Sequence, residues 1–186
     1  MDRRLFLGTA GALAIGAVRV PLAALAAQRI AIGIESDGTL DGKMLMRLLD
    51  RLSANILRAG HMQIVDRARL AAVLREQGLS NSAYADPRTA AELGKIVGAS
   101  RLLHVTASLE DDSESGAFVT TISATVTASY SLVAVDTARV VDAGTADGTG
   151  ERRSAAGSLR AGSDERLVRQ AVDACADDLA DQLEPK

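Results

Sequence analysis

The pattern of hydrophobic and polar positions changes character along the chain. An apolar run at 29–34 predicts a short strand, and a turn-rich segment then leads to Asp41, which is placed to cap a helix. That helix ends at Gly60 and carries its apolar residues on one stripe: Leu45, Leu48, Leu49, Leu52 and Ile56. A second short strand is predicted at 62–65.

Two shorter helices follow the second strand. Asp66 caps the first, which ends at Gly78, and Asp86 caps the next, with Pro87 in its first turn and Gly98 at its end. The residues predicted to face the core are Leu70, Val73, Leu74, Leu93, Ile96 and Val97. Alternating strands and helices of this kind are typical of an α/β domain.

From residue 103 the apolar residues recur at every second position, which predicts strands with one buried and one wet face. We expect a strand over 103–109, an acidic loop over Glu110–Gly116 and a long strand over 117–135. The inner face of the long strand is apolar: Ile122, Ala124, Val126, Ala128, Tyr130 and Leu132. Its outer face consists of hydroxyl residues: Thr121, Ser123, Thr125, Thr127, Ser129 and Ser131.

The chain closes with one more strand and a helix. We predict a strand over 138–146 and a mobile loop over Gly144–Gly162, which is rich in glycine, serine and arginine. Ser163 is placed to cap the last helix, whose apolar residues recur every four positions: Leu167, Ala171, Cys175, Leu179 and Leu183. The whole pattern predicts a single α/β domain with a mixed β-sheet packed against helices.

The N-terminal segment predicts export. Arg3 and Arg4 precede an apolar run that is too short to span a bilayer comfortably, where about 20 residues are needed. Ala24 and Ala26 supply the small residues that signal peptidase accepts, and the arginine pair favours the twin-arginine route. A Sec leader and an uncleaved membrane anchor are the alternatives. We expect a signal peptide at 1–26, a mature domain at 27–186 and a periplasmic location, with association at the outer membrane left open.

Composition argues against several classes of partner. Aromatic residues make up 2 % of the chain, so it has no platform for stacking bases or sugar rings. The formal net charge is −3, and no cluster of lysines and arginines outside the leader is large enough for nucleic-acid binding. Cys175 is the only cysteine, so no intramolecular disulfide is expected. Its place on an apolar helical stripe predicts a buried, unreactive thiol.

Candidate catalytic and metal-binding motifs fail at a required residue. The segment 37–48 resembles a calcium loop, but it ends in a leucine where a bidentate glutamate is needed. The segment 38–43 ends in Gly-Lys like a phosphate-binding loop, but Met44 replaces the hydroxyl residue that holds magnesium. His61 and His104 lack partners at metal-ligand spacing and are predicted to be surface residues. We therefore predict no cofactor, no metal site and no catalytic residue.

Three stretches share their residue pattern with one known family. Residues 65–79 (VDRARLAAVLREQGL) follow the pattern V-E/D-R-x-x-L-x-x-V/I-L-x-E-Q-x-L, and residues 86–99 (DPRTAAELGKIVGA) follow D-x-x-T-A-x-x-L-G-K-x-x-G-A. Residues 132–141 (LVAVDTARVV) are similar to a hairpin pattern L-V-D-x-x-T-G-x-I/V-V, with Ala138 in place of the usual glycine. In these stretches the chain resembles the CsgG family of curli assembly components, and the resemblance covers most of residues 29–145.

The resemblance implies an α/β domain similar to the N-terminal domain of TolB and to LpoB-type activators of peptidoglycan synthases. It also implies an envelope protein that works by assembly and protein contact, without catalysis. It does not carry over the pore function of CsgG, because this leader has no cysteine to lipidate and the segment after Ala138 holds charges and glycines instead of an apolar lipid-facing band. We expect no stable membrane insertion of the mature chain.

We predict a periplasmic adaptor that binds a secretion channel, a surface-fibre component or a cell-wall synthase, or that assembles with itself. The predicted interaction face is the uncharged hydroxyl face of strand 117–135, because a solvated strand of this length usually carries charges that discourage edge pairing. The ordinary solvated face of an antiparallel sheet is the simpler explanation of these hydroxyls. A hydrolase with a site assembled from scattered Ser, Asp and His residues, and a domain that binds a small ligand, are the alternative functions.

Overall fold

The computed structural model describes residues 28–79, 84–155 and 164–184. Along these residues the elements follow in the order β1 (Gln28–Ser36), α1 (Gly42–Ala59), β2 (Met62–Ile64), α2 (Arg67–Gln77), α3 (Pro87–Val97), β3 (Arg101–Ser115), β4 (Val119–Ala134), β5 (Arg139–Ala155) and α4 (Glu165–Gln182). Strands and helices alternate at first, and three consecutive strands then precede a closing helix. This order confirms the α/β fold class.

The strands form one mixed sheet in the order β2-β1-β3-β4-β5. β1 runs parallel to both β2 and β3, while β3, β4 and β5 form an antiparallel meander. Pairing of β1 with β3 stops at Ser36 and Ala107, but β3 continues to Ser115 alongside β4. The last three strands therefore extend beyond β1 as a three-stranded ribbon.

Different helices cover the two faces of the sheet. α1 and α4 pack on the inner face, where Ile32 and Val105 belong to the larger apolar cluster. α2 and α3 pack on the outer face, where Ala31 and Leu102 belong to a smaller cluster. Because successive side chains of a strand point to opposite faces, the neighbours Ala31 and Ile32 fall into different clusters.

The helix boundaries largely follow the predicted signals. The N-cap carboxylates that accept hydrogen bonds from first-turn N–H groups include Asp41, Asp66 and Asp86. The helices that these residues begin end at glycines with positive φ: Gly60, Gly78 and Gly98. For α4 the cap is Asp164 and not Ser163, since the Asp164 side chain accepts the N–H of Arg166. Ser163 lies outside the residues that the structure describes.

Three predictions about the elements are wrong. The acidic segment Glu110–Gly116 is mostly strand, because residues up to Ser115 pair with β4. β5 extends to Ala155, so the first part of the predicted loop at Gly144–Gly162 is also strand, and residues 156–163 lie outside the described part. Ile96 is exposed, because α3 buries a stripe through Leu93 and Val97 that does not include it.

Close contact between α4 and β5 explains why β5 contains glycines. These glycines are the reason that the sequence predicted a loop in place of a strand. Glycine is disfavoured inside strands, which is why the segment suggests a loop. A Cβ atom at Gly148 would lie 2.1 Å from the carbonyl oxygen of Ala171, and one at Gly150 would lie 2.1 Å from that of Leu167. No side chain fits between the strand and the helix backbone at these positions, so glycine is required by the packing.

Candidate interaction face

The outer face of β4 carries the hydroxyl residues singled out by the sequence. Six of them lie on the side opposite α1 and α4, half-buried or exposed: Thr121, Ser123, Thr125, Thr127, Ser129 and Ser131. Their orientation follows from the alternation along β4, because every second side chain from Ile122 to Leu132 is buried in the inner cluster. The orientation is as predicted, while a role in binding stays a prediction.

Residues of the neighbouring strands widen this surface. Ser108 of β3 and Asp147 of β5 lie in register with Thr127. The other outward-facing residues of β4 likewise lie between outward-facing residues of β3 and β5. The added hydroxyl residues are Thr106, Ser108, Thr145 and Thr149. The added carboxylates are Glu35, Glu110, Asp112, Glu114, Asp147 and Glu151. These residues and the six of β4 together are named the hydroxyl face below.

Hydrogen bonds across the strands hold some of these groups in place. The Thr127 hydroxyl donates to Oδ1 of Asp147 over 2.6 Å, and the hydroxyl oxygens of Thr125 and Thr149 lie 3.3 Å apart. The Ser108 hydroxyl donates to the carbonyl oxygen of Thr127 over 3.4 Å. Cross-strand pairs of this kind stabilise a sheet and orient its side chains. The hydroxyl face thus presents ordered polar groups.

A helix-covered region closes one end of the hydroxyl face. The Tyr84 ring lies against Gly33, where a Cβ atom would be 2.3 Å from Cδ2 of the ring. His104, opposite Gly33 on β3, is 8 % exposed, and its Nε2 lies 3.1 Å from Oε1 of Glu35. The prediction that His104 is a surface residue is wrong, because the Tyr84 ring packs beside it with a centroid distance of 6.3 Å.

The Tyr84 side chain is itself almost fully buried. Burial raises the pKa of its phenol to about 12, so the hydroxyl stays protonated at physiological pH. The hydroxyl has no hydrogen-bond partner among the residues that the structure describes. Unpaired buried hydroxyls are uncommon and costly, which marks this as the least well satisfied polar group near the hydroxyl face.

Side chains of α4 cap the free edge of β5. The Gln182 amide donates from Nε2 to the carbonyl oxygen of Thr145 over 2.9 Å. The backbone N–H of Asp147 donates to Oδ2 of Asp178 over 3.1 Å. These side chains occupy backbone groups that another strand would otherwise bind, which discourages edge-to-edge pairing there.

Comparison with protein-family models gives one match over residues 44–185, to CsgG, described as the curli production assembly/transport component. The match spans well over half of the chain. The chain belongs to the CsgG family. This confirms the resemblance noted in the helical segments, and it supports an envelope protein that acts through contacts with other proteins.

This CsgG-family chain is also similar to several solved structures. Lipoprotein GNA1162 from Neisseria meningitidis is 17 % identical, with a TM-score of 0.46 and coverage of 73 % of this chain and 88 % of that one. The LpoB C-terminal domain from Salmonella enterica is 18 % identical, with a TM-score of 0.42 and coverage of 65 % and 82 %. A minor lipoprotein from Acinetobacter baumannii is 11 % identical, with a TM-score of 0.49 and coverage of 84 % and 92 %. No curated protein sequence matches significantly.

The single cysteine of this CsgG-family chain is buried under β5. The Cys175 thiol lies 3.4 Å from the carbonyl oxygen of Ala146, and burial raises the pKa of the thiol to about 12. A thiol with this pKa carries almost no thiolate at physiological pH, and the thiolate is the form that acts as a nucleophile. The prediction that Cys175 is buried is confirmed, and its lack of reactivity stays a prediction.

The segment that resembles a calcium loop forms a turn and a helix cap. The Asp37 carboxylate accepts hydrogen bonds from the N–H and the hydroxyl of Thr39, and these bonds hold its pKa below the usual range. Asp41 uses its carboxylate to cap α1. Within residues 28–79, 84–155 and 164–184, no group of three or more His, Cys, Asp or Glu side chains is placed to hold a metal ion.

The predicted signal residues Arg3, Arg4, Ala24 and Ala26 lie outside the residues that the structure describes. Export and the boundary after residue 26 therefore stay predictions. Among the helices of the described part, none has both the length and the hydropathy to cross a membrane.

The β5 side of the hydroxyl face is the part that sequence reasoning missed. A signal was present: polar residues alternate with small ones from Gly144 onward, as Thr145, Asp147, Thr149 and Glu151 do with Ala146, Gly148 and Gly150. The alternation has the period of a strand, but the buried positions are too small to count as hydrophobic. Only the approach of α4 shows that these small residues face the core.

Proposed function

We propose that this chain is a non-catalytic adaptor of the bacterial envelope that binds a partner protein through the hydroxyl face. Membership of the CsgG family supports a role in assembly or transport. The observation that carries the proposal is the hydroxyl face itself, an ordered polar sheet surface on which α2 and α3 pack at one end only. It offers hydrogen-bonding groups on three neighbouring strands to one extended partner surface.

The charges on this surface favour a cationic partner. Six carboxylates lie on the hydroxyl face, and Arg153, which lies in register with Thr121, is paired with one of them, Glu151. A partner segment rich in lysine or arginine would be steered toward it by this potential. Single hydrogen bonds add only about 0.5–1.5 kcal/mol net, so several must act together. A secretion channel, a fibre component or a cell-wall synthase with such a segment fits this description.

Lysine substitutions on the hydroxyl face test the proposal. In Thr125→Lys with Thr127→Lys the new side chains point away from the core, so the fold is expected to remain and the local negative potential to weaken. The control is Ala54→Lys with Ala71→Lys, which adds the same two charges at exposed positions of α1 and α2. Purified wild-type protein and both variants serve as baits in periplasmic extract, and captured proteins are identified by mass spectrometry.

We expect the wild type and the control to capture the same partner and the hydroxyl-face variant to lose it. Thermal unfolding of all three proteins checks that the fold is intact. If the hydroxyl-face variant is folded and still captures the same proteins in the same amounts, the hydroxyl face is ordinary solvated surface and the proposed mode of binding is wrong.

We further propose that the chain reaches the periplasm by the twin-arginine route. The support is the Arg3-Arg4 pair directly before a modest apolar run. Arg3→Lys with Arg4→Lys keeps the charge of the segment, and it should leave the precursor in the cytoplasm. Normal periplasmic levels of this variant in cell fractionation would instead identify the Sec route.

A further inference from the structure

A cleft lies where the two helices of the inner face end together. Ion pairs join Lys43 to Glu165 near the start of both helices and Arg51 to Asp177 farther along, so α1 and α4 run parallel to each other. Their C-terminal ends therefore meet on one side of the molecule, beside the turn that leads from α1 to β2. The cleft between them has a volume of about 370 Å³, which is within the range of small-ligand sites.

Both apolar and polar side chains line the cleft. Ile56 of α1 and Leu183 at the end of α4 are almost fully buried, and Ala59 and Ala180 add further apolar surface. The polar lining residues come from both helices and from the turn after α1: Arg51, Asn55, Arg58, His61, Asp177, Asp181 and Glu184. Sites for small ligands combine apolar walls with a few convergent polar groups in this way.

A chain of hydrogen bonds holds one guanidinium group at the cleft. Oδ1 of Asp177 accepts from Nε of Arg51 over 2.9 Å and from Nδ2 of Asn55 over 2.6 Å. Oδ1 of Asn55 in turn accepts from Nη1 of Arg58 over 3.0 Å. A guanidinium has several N–H donors, so Arg58 keeps others that can bind a ligand carboxylate. Because its neighbours already orient it, less conformational freedom is lost on binding.

The charges that are not neutralised within the cleft are mainly negative. Asp181 and Glu184 are exposed, and neither forms an ion pair with another residue that the structure describes. Arg58 forms none with these residues either, while Arg51 and Asp177 pair with each other. The C-terminal end of a helix adds partial negative charge, and here two such ends meet. The cleft therefore favours a ligand that carries one carboxylate and more than one positive charge.

We propose that this cleft binds an α-amino acid with a cationic side chain, such as lysine. The ligand carboxylate pairs with Arg58, and both ammonium groups face Asp181, Glu184 and the helix ends. The aliphatic part of the ligand lies over Ile56 and Leu183. An acidic amino acid would bring a second carboxylate close to Asp181 and Glu184, and a diamine would leave Arg58 without a partner. These are the physical reasons for selectivity.

Isothermal titration calorimetry of the purified protein with L-lysine tests the contact with Arg58. Arg58→Gln removes the charge and should weaken binding of L-lysine at least about tenfold, because hydrogen bonds between charged groups are strong. L-lysinamide lacks the carboxylate, so it should bind the wild type more weakly than L-lysine does and should be unaffected by Arg58→Gln. Arg75→Gln, at an exposed position of α2, is the matched control and should change neither affinity.

The carboxylates and the place of binding are tested separately. Asp181→Asn with Glu184→Gln should weaken the binding of both L-lysine and L-lysinamide, since both ligands carry ammonium groups. L-glutamate should bind the wild type much more weakly than L-lysine. In ¹H–¹⁵N NMR spectra of the wild type, L-lysine should shift the amide signals of Ala59, His61 and Leu183, a measurement that depends on no variant.

The proposal is overturned if L-lysine does not bind the wild type, if L-glutamate binds equally well, or if a folded Arg58→Gln variant binds L-lysine normally. It is also overturned if L-lysine shifts the amide signals of the hydroxyl face and leaves those around the cleft unchanged. These titrations involve no partner protein, and the cleft belongs to the helices of the inner face. Their failure is therefore distinct from a failure of the adaptor function.

Discussion

The inner and outer faces of the sheet are built by the same alternation of side chains but are covered in different ways. On the inner face α4 lies so close to β5 that backbone meets backbone at Gly148 and Gly150. On the outer face the covering at Gly33 is a side chain, the Tyr84 ring, and farther along the ribbon polar groups take over. The inner face is covered by α1 and α4, while the outer face is covered only where α2 and α3 reach.

This difference shows where the molecule can change without losing its fold. A backbone contact cannot adjust by choosing another rotamer, whereas a side chain can move or be replaced. The inner face should therefore be intolerant of added atoms, and the outer face should tolerate them increasingly along the ribbon beyond β1. A surface that tolerates change is where binding residues can be placed on a rigid scaffold.

The largest expected effect is that of Gly148→Ala on the inner face. The added Cβ would lie 2.1 Å from the carbonyl oxygen of Ala171 and 2.2 Å from the backbone nitrogen of Cys175, so α4 must move. We expect the free energy of unfolding to fall by about 3 kcal/mol or more, as for severe overpacking. Urea denaturation measures this. Gly42→Ala, where nothing lies within 4 Å of the new Cβ, is the control.

Equal stabilities of Gly148→Ala and Gly42→Ala would contradict the close packing of α4 on β5. Truncating a neighbouring side chain, as in Cys175→Ala, should not rescue Gly148→Ala, because the atoms that clash are backbone atoms. This lack of rescue separates the inner face from the outer face.

Gly33→Ala should have a smaller effect on the outer face, and one that can be rescued. Its Cβ would lie 2.3 Å from Cδ2 of Tyr84, a side-chain atom, so the expected loss is about 1–3 kcal/mol. In a double-mutant cycle with Tyr84→Ala, the second substitution should make Gly33→Ala nearly neutral. Additive losses in urea denaturation would show that Tyr84 does not rest on Gly33.

Much of this fold is predictable from the sequence, and the exceptions have physical reasons. Helix caps and ending glycines are local signals, so Asp41, Asp86 and Gly60 are found where the pattern places them. β5 and the burial of His104 depend on what packs against them, and neither α4 nor Tyr84 can be positioned from local sequence. The outward-facing hydroxyl residues of β4 could be predicted because several of the alternating inward-facing residues are large and hydrophobic, which makes the period of a strand visible in the sequence.

A row of ion pairs along the inner-face helices should contribute less than either glycine contact. Lys43, Arg47 and Arg51 of α1 pair with carboxylates of α4, and the Arg51–Asp177 pair has an N–O distance of 2.9 Å. The hydrogen bond from Arg51 lowers the pKa of Asp177 from 3.8. Because Asp177 is half exposed, Asp177→Asn should cost under about 1 kcal/mol at neutral pH.

The pH dependence of this effect has a defined sign. A carboxyl whose pKa is lowered by folding stabilises the folded state above its ordinary pKa, and the contribution is lost as the pH falls through the folded pKa. The difference between wild type and Asp177→Asn should therefore shrink below about pH 4. Urea denaturation across this range checks it, with Asp181→Asn on the same helix as a control. A difference that grows toward low pH would contradict the pairing.

The smallest effect, and the only one expected to stabilise, concerns the buried phenol at the closed end of the outer face. Tyr84→Phe removes a hydroxyl that has no partner among the described residues, so stability should stay equal or rise by up to about 1 kcal/mol. Tyr130→Phe is the matched comparison on the inner face, where the hydroxyl donates to Oδ2 of Asp142 over 3.4 Å, and it should be neutral or slightly destabilising. If Tyr84→Phe instead loses more than about 1 kcal/mol, the hydroxyl is paired in solution, for example with a bound water. The hydrogen bonding of the outer face would then be as complete as that of the inner face, and the two faces would differ in packing alone.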